Sequence, residues 1–192
     1  MFPLWIRTIG FPKLRFRTAP GHVPGEIVSS PTAAAPKITI IGYGPDGYEE
    51  QTVADIDALQ GLIRRKSVTW IHVEGLGDAD VIRRIGAMFH IHSLALEDVV
   101  HAHQRPKIED YGDYLFIAAR FLMPGDTRET EQLGLILGTD FVLTFEEKQG
   151  ECLRPIRDRI RSGKGRVRTK GADYLAYAIL DSLIDEYFPV LE

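Results

Sequence analysis

The chain has 192 residues, enough for one domain that buries roughly 70% of its unfolded surface. Its formal charge is only −4, from 23 Lys and Arg against 27 Asp and Glu, which excludes steering of nucleic acid by overall charge. Cys152 is the single cysteine, so no intrachain disulfide forms and a reducing cytoplasm is the expected setting.

No apolar run approaches the ~18 residues of a membrane span, and Arg7 interrupts Met1–Ile6 too soon for a signal peptide. The chain is therefore expected to be soluble. Pro3, Pro12, Pro20, Pro24, Pro31 and Pro36 predict an extended, partly disordered arm over residues 1–36, with at most a short strand at Lys13–Arg17. Lys37–Tyr43 reads as a strand ended by a Gly-Pro-Asp-Gly turn at 44–47. From Val53 to Arg65, Ile56, Leu59, Leu62 and Ile63 share one helical face. Val68–Val73 is the next strand and Gly75–Gly77 a turn. A helix capped by Asp78 or Asp80 follows, with Val81, Ile82, Ile85, Met88 and Phe89 facing the core.

Ser93 is expected to cap a central helix over 93–103, with Leu94, Leu96, Val99 and Val100 on its buried side; Pro106 prevents its continuation. Leu115–Leu122 is apolar on both faces, as in a strand covered on both sides, and Gly125–Thr130 turns it round. Gln132–Leu137 and Phe141–Phe145 form a hairpin about Gly138–Asp140. Pro155 starts a short helix carrying Ile156 and Ile160 and stopped at Ser162–Gly163. A closing helix begins near Asp173 with the apolar stripe Leu175, Ala176, Ile179, Leu180, Leu183, Ile184, Tyr187 and Phe188. Helices alternating with strands, then a run of strands, predict an α+β fold with helices on a mixed sheet.

Three blocks carry a resemblance. His92-x-x-Ala95-Leu96-Glu97-Asp98 with Gln104-Arg105-Pro106-Lys107, Val68–Leu76 (VTWIHVEGL) and Ala172–Asp181 (ADYLAYAILD) occur in the same order as similar blocks of the CorA family of divalent-cation transporters. Ser93 replaces the proline usual there. The resemblance implies a three-layer α-β-α cytoplasmic domain over 37–170, with residues 171–192 starting a long helix towards a stalk. It further implies a homopentamer in the membrane, with the domain on the cytoplasmic face of the inner membrane. The family's two C-terminal spans and Gly-Met-Asn signature are not in this sequence, so a fragment is expected.

Glu97 and Asp98 diverge by about 100° around the helix, so each is expected to face a different partner. The resemblance implies that Asp98, and at a second position Glu97 with Asp181, bind divalent ions between neighbouring subunits. Asp185, one turn beyond Asp181, is a candidate by spacing alone. Mg²⁺ takes oxygen ligands and keeps several waters, so one or two carboxylates per site suffice; Mg²⁺, or Co²⁺, is the expected ion.

Two other readings compete. His90, His92, His101 and His103 flank the central helix, and imidazole suits Zn²⁺, as in a zinc-transporting relative. Their i,i+2 spacing is poor for chelation from a helix. The basic run Arg154, Arg157, Arg159, Arg161, Lys164, Arg166, Arg168 and Lys170 could bind nucleic acid, but it lacks aromatics for base stacking; a solvated face pairing with acidic groups is the expectation, with no nucleic-acid partner. No G-x-S-x-G, P-loop or G-x-G-x-x-G occurs, so no enzyme is expected.

Overall fold

The computed structural model describes residues 25–30, 32–101, 104–123, 126–148 and 152–188. Its seven strands are β1 (Lys37–Gly44), β2 (Gly47–Val53), β3 (Val68–Glu74), β4 (Lys107–Asp110), β5 (Leu115–Met123), β6 (Asp126–Leu137) and β7 (Phe141–Glu146). They form one mixed sheet in the order β2-β1-β3-β7-β6-β5-β4. Only β3 and β7 pair in parallel; parallel neighbours need a long crossover, and the chain between them supplies two helices and the strands β4 to β6.

Helices α1 (Ile56–Leu59), α2 (Ala79–Met88) and α3 (Ser93–Val100) cover one face of the sheet. Helices α4 (Arg154–Ser162) and α5 (Ala172–Asp185), with a 3-10 turn at Val167–Thr169, cover the other. The strands explain both coverings. On β3, Ile71 and Val73 enter the core under α1–α3, while Val68 and Trp70 enter the core under α4 and α5. On β5, Phe116 and Ala118 take the first side and Ile117 and Phe121 the second. A strand with no polar face needs a layer on each side, so the expected three-layer α-β-α architecture with a mixed sheet is the one formed.

Four local expectations are corrected. The turn at 44–47 closes a hairpin rather than leading to a helix: Tyr43 pairs with Tyr48 and Gly44 with Gly47, and β2 is a polar edge strand without the alternation of a buried one. The helix expected over 53–65 shrinks to one turn, capped by Asp55, because Arg64 takes a positive φ and its N–H is drawn to Thr69 Oγ1. Ile56 and Leu59 still reach the core, with Leu62 and Ile63 packed against it. The central helix ends at Val100, and its cap is His92, whose Nδ1 accepts from Leu94 N–H; Ser93 is its first residue. Ala95, not Leu94, completes its buried side.

Other signals held. Asp78 caps α2, Pro155 lies in the first turn of α4, and Gly163 ends α4 in the left-handed conformation. Lys107–Asp110, unforeseen as a strand, is a short charged edge, a form that discourages pairing with another chain. Residues 33–35 pass over the turn after β3, where Gly77 N–H donates to Ala34 O. Gly75 has φ +94 and a side chain there would sit 2.5 Å from Ala35 O, so the turn requires glycine. The expected arm and the strand at 13–17 fall, for residues 1–24, outside the described residues.

Candidate metal-binding carboxylates

Helix α3 holds Glu97 and Asp98 half-buried while Ala95, Leu96, Val99 and Val100 pack inward. The two carboxylates turn to different partners, as their spacing requires. Asp98 Oδ2 receives Lys107 Nζ at 2.6 Å and Oδ1 accepts from Gln104 Nε2. Lys107 also reaches Glu109 Oε1 at 2.8 Å. Burial opposes the ammonium charge, but the hydrogen bonds to Asp98 and Glu109 outweigh it and raise the Lys107 pKa. Gln132 completes the unit by donating to Asp98 O and accepting from Gln104 N–H. Glu97 accepts from Gly25 N–H at 2.6 Å through Oε2, and its Oε1 lies 3.7 Å from His101 Nδ1.

Asp181 and Asp185 lie on α5, across the sheet from α3. Asp181 is half-buried and accepts a hydrogen bond from Tyr177 Oη at 3.3 Å; Asp185 is exposed. Around them Tyr177, Ile184 and Phe188 are each more than half exposed, so three apolar or aromatic side chains flank Asp181 on the outer face of α5. The expected stripe therefore divides: Leu175, Ala176, Ile179 and Leu183 enter the core, and Ile184 and Phe188 do not.

Within one chain, then, the sheet separates Glu97 and Asp98 from Asp181 and Asp185. Among the described residues no three His, Cys, Asp or Glu side chains converge where a metal ion could sit. The donors are hard oxygens of the kind Mg²⁺ takes, but each face offers only one or two, and those of α3 are engaged by Lys107, Gln104 and Gly25.

The histidines do not form a chelating pair among the described residues. His92 spends Nδ1 on its cap, His90 takes a positive φ at the end of α2, and His103 lies outside the described residues. Part of the basic run is used internally. Arg161 makes a two-pronged pair with Glu50, both contacts at 2.7 Å, and a further contact with Asp158. Arg168 donates to Ile160 O and Arg161 O and lies over the Tyr48 ring.

A polar group that sequence reading missed lies under α4 and α5. His72, Glu74, Glu131, Thr144 and Glu146 are all buried. Trp70 Nε1 donates to Thr144 Oγ1 at 2.9 Å, and Thr144 Oγ1 lies 2.8 Å from His72 Nδ1. On the other side of the ring, His72 Nε2 lies 3.9 Å from Glu74 Oε1. Burial lowers the His72 pKa and keeps the ring neutral. Glu74, beside His72 and paired with Lys37 at 3.1 Å, is held down to about 2. The available signal was alternation: His72 and Glu74, then Thr144 and Glu146, are polar at every second place in strands buried along their whole length.

Comparisons with known proteins give a consistent result. Residues 65–192 match the family model described as CorA-like Mg²⁺ transporter protein. The chain is 38% identical over 159 residues to the cobalt/magnesium transport protein CorA of Thermotoga maritima, covering 81% of this chain and 45% of that one. It is 28% identical over 137 residues to the magnesium transporter ALR1 of Saccharomyces cerevisiae, covering 68% and 16%. Among solved structures, the CorA magnesium transporter of Methanocaldococcus jannaschii superposes with a TM-score of 0.59 at 14% identity, over 80% of this chain and 46% of that one. The ZntB cytoplasmic domain from Vibrio parahaemolyticus superposes at 0.64 with 13% identity, over 81% and 60%; both show likeness of fold. The chain spans under half the length of the sequence relatives named here. No helix among the described residues is long and apolar enough to cross a membrane.

Proposed function

We propose that this chain, which belongs to the CorA family of Mg²⁺ transporter proteins, is the cytoplasmic ion-sensing part of a divalent-cation transporter and governs its gate. The observation that carries this reading is the placement of the candidate carboxylates on opposite faces of one sheet. Two different surfaces that complete each other only between copies make a head-to-tail contact, and such contacts form a ring where the rotation between copies closes. A homopentamer on the cytoplasmic side of the inner membrane, with α5 continuing towards a stalk and membrane helices, fits that geometry and the family.

Acidic surfaces on adjacent copies repel unless a divalent ion lies between them. Mg²⁺ or Co²⁺, bound by Asp98, by Glu97 with Asp181, and by Asp185, would hold a closed, symmetric arrangement at high cytoplasmic concentration. Loss of the ion would release it, which requires only that the closed state bind more tightly. Exposed Tyr177, Ile184 and Phe188 around Asp181 supply apolar surface that a neighbouring copy would cover. At Asp98 the ion must compete with the Lys107 ammonium, which has Glu109 as a second partner when displaced. The chain's role is binding and gating rather than catalysis.

The test is ion uptake by the full-length protein. Asp98→Ala should raise uptake at high internal Mg²⁺, because the bridge that closes the ring is lost. Unchanged inhibition by internal Mg²⁺ would refute the assignment of Asp98.

A further inference from the structure

Glu146 ends β7 with its side chain wholly buried, on the face covered by α4 and α5. Among the described residues, its Oε1 has one donor, the thiol of Cys152 at 3.1 Å, and its Oε2 has none. A thiol is a weak donor, and a buried carboxylate with an unpartnered oxygen is costly in its charged form. The surroundings increase that cost. Glu74 is its register partner on β3, and Glu131 on β6 and Glu186 at the end of α5 each keep one buried oxygen without a hydrogen bond. Glu147 adds negative charge beside Glu131.

The opposing groups are fewer. Arg157 on α4 brings a guanidinium whose Nε is itself buried without a partner, Lys37 on β1 is committed to Glu74, and Lys148 lies beside Glu131. His72 on β3 has its pKa lowered by burial, which disfavours the cationic ring. A metal ion could balance such a group of carboxylates, yet no three of these side chains converge on a metal-sized point among the described residues. A proton needs no such convergence.

We propose that Glu146 is a proton-binding latch: protonated, it lets the 152–153 turn and the start of α4 seat on the sheet; ionised, it drives that segment to open and admit water. Several features favour this role. Among the described residues, the donor to Glu146 belongs to the segment that would lift, because Cys152 lies two residues before Arg154, the first residue of α4. The strands beneath, β3, β7 and β6, are each hydrogen-bonded to a neighbour on both sides, so the covering layer is the part that yields with fewer hydrogen bonds broken. Burial, helped by Glu131 and Glu74, pushes the Glu146 carboxyl up to about 7, where proton occupancy changes near neutral pH. The same environment raises the Cys152 thiol, so the closed segment hides an unreactive sulfur.

Cys152 is the chain's single cysteine and reports the opening directly. Its labelling by a disulfide reagent would be followed from about pH 5 to about pH 9, each rate divided by that of the urea-unfolded chain at the same pH to remove the ordinary thiol titration. The normalised rate should rise about tenfold through neutral pH in the wild type. It should stay at the slow acid level in Glu146→Gln, which mimics the protonated carboxyl. A flat wild-type profile, or a rise that survives in Glu146→Gln, would overturn the proposal. Slow labelling restored by Mg²⁺ at the alkaline end would assign the site to a metal ion and overturn it too. Should the variant fail to fold, carbon-13 spectra of the wild type decide. A glutamate carboxyl titrating near neutrality together with the Cys152 β-carbon supports the latch, and a Cys152 β-carbon that follows no glutamate titrating near neutrality refutes it.

Discussion

Asp98 and Glu146 are both acidic groups drawn below the surface, on opposite sides of one sheet, and their surroundings differ in one respect. Asp98 is half-buried and each of its oxygens meets a strong donor, Lys107 or Gln104. Glu146 is wholly buried and, among the described residues, meets only a thiol. Depth alone therefore does not set the consequence of burying a carboxylate; the number and charge of its donors do. The first group has its oxygens engaged by Lys107 and Gln104. The second is stabilised as an acid.

Removing the shared scaffold is the most severe way to break the comparison. Trp70 is fully buried on the α4 and α5 side and donates to Thr144, which in turn orients His72. Trp70→Ala should cost ~3–5 kcal/mol in urea unfolding, through the cavity and the lost donor. A loss below ~1 kcal/mol would mean that the α4 and α5 layer collapses into the space and that its packing is looser than described.

The sharpest contrast comes from neutralising each carboxylate. Glu146→Gln should stabilise the fold by about 2 kcal/mol above neutral pH, because the buried ionised form is removed. The sign follows from the raised folded pKa. Below the ordinary value of 4.5 the carboxyl is protonated in both states and Glu146 costs nothing by ionisation. As pH rises towards about 7 only the unfolded chain ionises, so wild-type stability falls across that window and levels off above it. His72 works the other way, since its lowered pKa costs stability as pH falls below its ordinary 6.5; the wild-type minus Glu146→Gln difference isolates the glutamate. A difference independent of pH would show that Glu146 ionises as an ordinary carboxylate. Asp98→Asn should have the opposite sign and a smaller size, a loss of about 1 kcal/mol at neutral pH, because its pair with Lys107 remains partly exposed to solvent. Thermal unfolding in low and high salt would check it, with the loss shrinking as salt rises; a salt-independent loss would point to packing instead.

Much of the layered fold was legible before any coordinates. Leu115–Leu122 lacks a polar face, which required cover on both sides, and the Asp78 and Gly163 signals marked helix ends correctly. Short-range conflict hid the rest. The apolar spacing of Ile56, Leu59, Leu62 and Ile63 suits a helix, but the same residues reach the core from one helical turn and a loop once Thr69 captures the Arg64 N–H. For the candidate site, Glu97, Asp98 and Asp181 were found through resemblance and Asp185 through spacing, and neither route revealed that Lys107 already occupies Asp98. Glu74, Glu131 and Glu146 were overlooked because each lies one residue outside the strands that the apolar pattern suggested, Val68–Val73, Gln132–Leu137 and Phe141–Phe145.

What the order of residues determined by itself is local or pairwise in character: which stretches have one apolar face or two, where helices are capped, and which family the blocks at 68–76, 92–107 and 172–181 belong to. Burial was decided only in three dimensions. Whether a carboxylate lies beside an ammonium or a thiol depends on residues such as Lys107 and Cys152 being carried to it by strand register and helix packing, and the electrostatic cost of a charge depends on those neighbours and on how far water is kept away.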